Sequence, residues 1–231
     1  MAAALAEKSC LSQYVTNYTN KNRLWERVIE TIPVLSGVFK KTFGRRKTID
    51  KIPKKLVVNA GILADILCAC AYRIPGHWSQ KVANNLGWKV AKQISKRSKN
   101  YAHNKDVIIA SYYSAKEIFE HNSSIKILNH PSIHYKRVCE IIKKEKKLEP
   151  EFACTLPNPS ARPAWLEHRL DQERELADKI FVGSHFARST FVDQESNSKK
   201  ITAIPYGSDV SKFTSPSSDT KEKSNAFKVL F

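Results

Sequence analysis

The chain has 231 residues, of which 42% are hydrophobic, and carries a formal net charge of +17. This length and apolar content can build a packed core, which excludes a disordered chain and suits one large domain or a domain and a half. The five cysteines are odd in number and irregularly spaced, which excludes a disulfide-stapled secreted scaffold and indicates a reducing compartment. Cys68 and Cys70 lack the spacing of metal ligands, and we expect them to be buried thiols.

The positive charge is concentrated in the N-terminal part of the chain. Residues 1–105 contain 20 Lys and Arg against 5 Asp and Glu, whereas residues 106–231 contain 19 against 17. Such a basic half suggests contact with an anion, and nucleic acid, acidic lipid headgroups and phosphate-bearing substrates all satisfy it. The charge does not choose among these partners, nor does it exclude a merely solvated surface.

The first 105 residues mainly favour helices. Residues 2–11 predict a helix and residues 12–18 a short strand, and residues 21–105 form a basic helical segment. Met1 to Ala6 lacks the features of a signal peptide. The apolar run from Leu56 to Tyr72 is interrupted by polar residues and is too short to cross a bilayer, so it predicts a buried or interfacial helix. A further helix begins near Trp78, whose apolar ladder predicts a face turned to the core, with contact to an anionic membrane surface as the alternative.

Strands and helices alternate from residue 106, which predicts the α/β class. Residues 107–110 form a continuous apolar run, which is typical of a central parallel strand. Ser114 and Glu117 have the spacing of a capping box and predict a helix through Glu120. Residues 125–128 predict the next strand, and charged helices follow at 135–148 and 165–178. The acidic residues of the last helix alternate with Arg169 and Arg174, which indicates ion pairs along the helix.

His130 follows the predicted strand 125–128. Because polar residues at the carboxyl ends of parallel strands face the ligand crevice of an open α/β sheet, His130 is the candidate best placed for chemistry. A structural histidine is the alternative on position alone. His134 lies nearby, in the next helix, and is the weaker candidate.

The stretch 177–213 predicts a complete strand, helix, strand and loop, in which Ser184 caps the helix that runs to about Gln194. Its apolar side consists of Phe186, Ala187, Thr190 and Phe191. The second strand, residues 201–205, leads into a sharp turn at residues 206–209. Such a unit belongs in a parallel sheet with a right-handed crossover, and by periodicity alone it is a Rossmann-like scaffold.

The order of the short sequence motifs in this stretch is more specific than its periodicity. An Ala-Asp pair, a strand, a Ser-capped helix with Phe and Arg, a Lys-Lys-Ile strand and Ile-Pro-Tyr-Gly-Ser-Asp resemble the N-terminal domain of family-4 glycosyltransferases, which have the GT-B fold. The resemblance covers residues 106–213 well and the earlier residues loosely. It implies that His130 contacts the transferred sugar. It also places Ser184, Arg188, Tyr206, Gly207 and Asp209 in the donor and acceptor cleft.

The resemblance implies a Rossmann-like parallel sheet with flanking helices, the N-terminal half of a GT-B fold, with the basic helical segment inserted. It implies transfer of a sugar from a nucleotide-sugar donor to a glycan or lipid-linked acceptor, with retention of configuration and without a metal or other cofactor. Residues 211–226 predict a linker, and residues 227–231 the first strand of a donor-binding domain with a Glu-x7-Glu pattern. A chain without that domain, and without the strand expected before residue 2, is expected to be inactive alone.

Two alternatives from other classes remain. One is a basic α/β protein without enzymatic activity that binds nucleic acid or an anionic membrane, although no nucleic-acid motif appears. The other is a stand-alone sugar- or nucleotide-binding domain, because a fold does not fix a function. For the transferase, the expected location is cytoplasmic, including the cytoplasmic face of a membrane.

Overall fold

The structure, a computed structural model, describes residues 1–16, 19, 27, 31, 52–59, 77–102, 105–157, 163–192 and 198–207. The described strands form two parallel sheets, one of order β1-β2 and one of order β3-β4-β5-β6. The strands are β1 (Tyr14–Thr16), β2 (Val57–Asn59), β3 (Val107–Ser111), β4 (Ile125–His130), β5 (Lys179–Val182) and β6 (Ile201–Ala203). The predicted α/β class, with a Rossmann-like parallel sheet flanked by helices, is confirmed.

The described helices are α1 (Ala2–Glu7), α2 (His77–Ser98), α3 (Lys116–Glu120), α4 (Tyr135–Leu148), α5 (Ala164–Leu176) and α6 (His185–Val192). Of these, α3 to α6 connect the strands of the larger sheet. Short 3-10 turns occur at Lys54–Leu56, Lys99–Tyr101, Pro150–Phe152 and Ser198–Lys200. The predicted helices of the α/β half are all present, with ends that differ from the predicted ones by a few residues.

Helices α3 and α6 pack on one face of the larger sheet. Each strand lies next to the strand that precedes it in the chain, so the sheet grows in one direction. Right-handed crossovers between strands added in one direction place the connecting helices on one face. That face is the core, where Leu128 and Ile180 pack with Phe119 of α3 and Phe191 of α6.

The opposite face of the sheet is apolar at its β3 edge. Val107, Ile109 and Ile125 are exposed there, and Ile125 keeps 54% of its surface in solvent. The prediction of a central strand at residues 107–110 is not met in the described sheet, where β3 is at one edge and its alternate residues are exposed. The physical reason is the common direction of the crossovers, which leaves alternate residues of β3 on the side away from the helices.

The apolar run that begins at Leu56 does not start as a helix. Its first residues form β2, and the β-branched Val57 and Val58 pair in parallel with Tyr14 and Val15 of β1. Strand pairing therefore outweighs helix propensity at these residues, and the predicted helix is wrong at the start of the run. The rest of that run, including Cys68 and Cys70, lies outside the described residues. Asp209, the predicted linker and the last five residues also lie outside them.

Helix α2 supports the core-facing interpretation of the ladder that begins near Trp78. Val90 and Ser95 are buried, whereas Lys89 and Lys96 are exposed. Within the described residues, no helix combines the length and the apolar character that a membrane span requires.

Candidate functional site

The carboxyl ends of β3 to β6 lie along one edge of the larger sheet, because all four strands are parallel. The segments that leave this edge are 112–115, 131–134, 183–184 and 204–207. Open α/β sheets bind their ligands at this edge. The predicted site residues His130, Ser184, Tyr206 and Gly207 all lie at it.

His130 is the last residue of β4, and only 1% of its surface is exposed. The ring of Tyr112 covers it at a centroid distance of 3.7 Å, and Phe191 meets it edge-on at 4.7 Å. Its Nδ1 lies 2.8 Å from the carbonyl oxygen of Ser132. Because a carbonyl can only accept, Nδ1 carries the hydrogen of that bond, and Nε2 of the neutral ring is an acceptor. The imidazole is thus held in one tautomer, beneath the surface of the crevice.

His134 caps helix α4 rather than lying inside it. Its Nδ1 accepts a hydrogen bond from the Lys136 amide, and its own amide donates to the Thr190 hydroxyl at 3.1 Å. The ring is buried and meets Phe191 edge-on. Burial, followed by the nearby positive charges of Arg174 and Lys136, lowers the pKa of His134 to about 3. These contacts give His134 a structural role.

A buried carboxylate holds the turn between β3 and α3. Glu173 of α5 is fully buried and accepts from the amide of Tyr113 at 2.9 Å and from that of Ala115 at 3.1 Å. The predicted capping box is therefore wrong, since the side chain of Ser114 does not cap this helix. Glu173 supplies the acceptor from a neighbouring helix instead. Tyr113 has a φ of 75°, which is unusual for a residue with a side chain, so the carboxylate stabilises a turn of restricted geometry.

Arg169 joins Glu173 to α3. Its guanidinium donates two bonds of 2.6 and 2.7 Å to the Glu117 carboxylate and lies 3.4 Å from Glu173. Burial opposes ionisation of Glu117, but the bonds from Arg169 and Ser95 outweigh it and lower the pKa of Glu117. Burial dominates at Glu173 and raises its pKa to about 7, against the opposing effects of Arg169 and the amides. The predicted ion pairs along α5 therefore include a buried pair, Arg169 and Glu173, that positions Tyr113 and Ala115.

The unit of β5, α6 and β6 has the predicted geometry. The Ser184 hydroxyl accepts from the Ala187 amide at 3.0 Å, which confirms the predicted cap of α6. The carboxylate of Asp178 accepts from the Lys126 amide at 2.7 Å and so fixes the register of β5 against β4. The expected apolar side of α6 is correct except at Phe186, which is exposed at the crevice.

Arg188 lies away from the crevice. Its Nε donates to the carbonyl oxygen of Ile201, at the amino-terminal start of β6, at 3.1 Å. The structure therefore does not bring Arg188 together with His130. Asp209, the remaining predicted cleft residue, is outside the described residues.

Tyr206 crosses the carboxyl edge of the sheet. Its hydroxyl donates to the carbonyl oxygen of Pro131, the residue after His130, at 3.1 Å. Its ring lies against Gly183, where a β-carbon would come within 2.6 Å of Cε2. By contrast, a β-carbon on Gly207 would meet nothing within 4 Å. Gly183 is thus required for the close approach of the ring, and sequence inspection did not assign it a role.

Two further features do not extend the site. A depression of about 380 Å³, lined by Lys105, Asp106 and residues 121–125, lies at the amino-terminal edge of the sheet, opposite to the crevice. Among the residues that the structure describes, no three His, Cys, Asp or Glu side chains are grouped to hold a metal ion.

The comparisons with known proteins add no relative. No protein-family model matches the chain, and neither the curated proteins nor the solved structures contain a match.

Proposed function

We propose that this chain is the acceptor-side domain of a retaining glycosyltransferase of the GT-B type. Such an enzyme moves a sugar from a nucleotide-sugar donor to a hydroxyl of a glycan or lipid-linked acceptor. One observation supports this most. Four of the residues that the resemblance implies, His130, Ser184, Tyr206 and Gly207, lie at one edge of the sheet, where Tyr206 is hydrogen-bonded to Pro131 beside His130.

The proposal gives His130 contact with the transferred sugar. With Nδ1 committed to Ser132, Nε2 is the ring atom that accepts a bond from a sugar hydroxyl. Tyr112 now covers this ring, so the tyrosine has to move before contact is made. Glu173 holds the turn that follows Tyr112, and we expect it to restrict how far this tyrosine moves.

In the proposed reaction the donor and the acceptor are bound by different domains. The nucleotide diphosphate is held mainly by the second domain, whose backbone amides and basic side chains stabilise the negative charge of the leaving group. The acceptor approaches from the crevice described above. The domain with His130 thus orients the sugars, and the gain in rate comes from their alignment with the donor.

The test is a transfer assay with the complete gene product, a panel of UDP- and GDP-sugars, and extracted glycans and glycolipids as acceptors. We expect transfer from at least one donor, and His130→Ala to lower kcat/KM at least about tenfold, the effect of losing one well-placed hydrogen bond. The matched control is His168→Ala, because His168 is an exposed histidine on α5. Unfolding by urea, measured on both variants, separates loss of the contact from loss of the fold.

Two outcomes would contradict the proposal. If the folded His130→Ala protein transfers sugar at an unchanged rate, His130 does not contact the transferred sugar as proposed. Absence of transfer with every donor, together with salt-sensitive binding to RNA, DNA or anionic vesicles, would instead support the basic binding protein.

A further inference from the structure

Tyr206 is a fixed aromatic ring on an otherwise neutral part of the surface. Of its surface, 71% is exposed, the largest fraction of any large hydrophobic residue among those the structure describes. An exposed ring of this size normally moves freely between rotamers. Here the hydroxyl is bound to Pro131 and the ring is seated on Gly183, so both ends are held.

The position of the ring is also defined. Tyr206 follows β6, lies over the end of β5 at Gly183, and reaches the loop after β4 at Pro131. It therefore spans the carboxyl ends of three adjacent strands, which is where a sheet of this class binds its ligand.

The chemistry around the ring selects a neutral ligand. The segments 131–132, 183–186 and 204–207 contain no Lys, Arg, Asp or Glu. Ser132, Ser184 and His185 are exposed there and offer hydrogen-bonding groups. These three described segments thus offer a phosphate or a nucleic acid backbone no charged Lys or Arg side chain, whereas a sugar needs an apolar plane and neutral polar groups.

We propose that the exposed face of Tyr206 is a stacking platform for a pyranose ring of the acceptor. A pyranose presents axial C–H bonds on one face, and these pack on an aromatic plane while the hydroxyls bind neighbouring polar groups. Gly183 is part of this site, because any larger residue displaces the ring. The choice of a sugar rests on the proposed glycosyltransferase function, but the binding does not depend on transfer.

The test is saturation-transfer NMR on the 231-residue chain with methyl β-D-glucopyranoside, methyl β-D-galactopyranoside, methyl α-D-mannopyranoside and cellobiose. We expect at least one of the probes to bind, with the strongest transfer at the axial H3 and H5 protons of the glucosides. Tyr206→Ala should weaken that binding about tenfold, which corresponds to about 1.4 kcal/mol. Tyr206→Phe should retain most of it, and Gly183→Ala should weaken it by moving the ring.

The matched control is Phe152→Ala, because Phe152 is also an exposed aromatic, with 57% of its surface in solvent, in a turn away from the crevice. It should leave binding unchanged. Binding of no probe, or equal binding by the wild type and Tyr206→Ala, would overturn the platform. Tyr206-dependent sugar binding without transfer by the gene product would instead leave the platform standing and reject the transferase.

Discussion

Two buried groups that respond to pH in opposite directions predict how stability changes on acidification. Glu173 and His134 are both at the ends of helices near the crevice, and at most 1% of either is exposed. Glu173 faces Arg169, and His134 faces Arg174, Lys136, His130 and Asp171. The informative perturbations are Glu173→Gln and His134→Asn. Gln keeps an oxygen for the amides of the turn, and Asn is a favourable N-cap residue.

The sign of each effect follows from proton linkage. The pKa of Glu173 rises from 4.5 to about 7, so the folded state binds this proton more tightly and gains stability as pH falls from 7 to 4.5. The pKa of His134 falls from 6.5 to about 3, so only the unfolded state takes up this proton and stability is lost as pH falls below 6.5. Each effect amounts to about 1.4 kcal/mol per pH unit. Between pH 4.5 and 6.5 the two effects cancel.

The assay is urea unfolding of the wild type and the two variants at half-unit steps between pH 4.5 and 7. Other carboxylates contribute equally to all three proteins, so the slopes are compared with one another. Relative to the wild type, Glu173→Gln should lose about 1.4 kcal/mol more per unit of acidification, and His134→Asn about 1.4 kcal/mol less. If the wild type and Glu173→Gln have equal slopes, Glu173 does not take up a proton and the reasoning is refuted.

Two further predictions concern the elements that shape the crevice. Ser184→Ala should destabilise the fold by about 1 kcal/mol in urea unfolding through loss of the α6 cap, whereas Ser184→Asp should retain it; equal stability of the two variants would contradict the role of the cap. Leu128→Ala should cost about 2–5 kcal/mol because Leu128 is fully buried in the core, whereas Ile125→Ala on the exposed face of the same strand should cost much less. Similar losses of stability for both variants would contradict the structure, in which one face of the sheet is buried and the other is exposed.

The sequence predicted the larger sheet well because its signals are local. Continuous apolar runs marked β3, β4 and β5, and Ser184 marked the start of α6 by its position after a strand. His130 was found at the carboxyl end of β4 for the same reason, since the end of an apolar run can be read from the chain. The order of these elements was sufficient to predict a parallel sheet.

The missed features depend on contacts between distant parts of the chain. Glu173 caps a turn about 60 residues earlier in the chain, and no local pattern distinguishes this carboxylate from a solvated one. Ser114 and Glu117 match a capping box, yet Arg169 and Ser95 engage Glu117 from other helices. The buried state of His130 under Tyr112 is likewise a tertiary property.

We propose that this chain belongs to a retaining sugar transferase, and the anomeric configuration of the first product is the sharpest test of that proposal. The complete gene product is incubated with its best nucleotide-sugar donor and acceptor, and the product is followed by proton NMR from the earliest turnover. We expect a new glycosidic bond with the configuration of the donor. An inverted product would contradict the claim of retention, and no glycosidic product with any donor would contradict the claim of transfer.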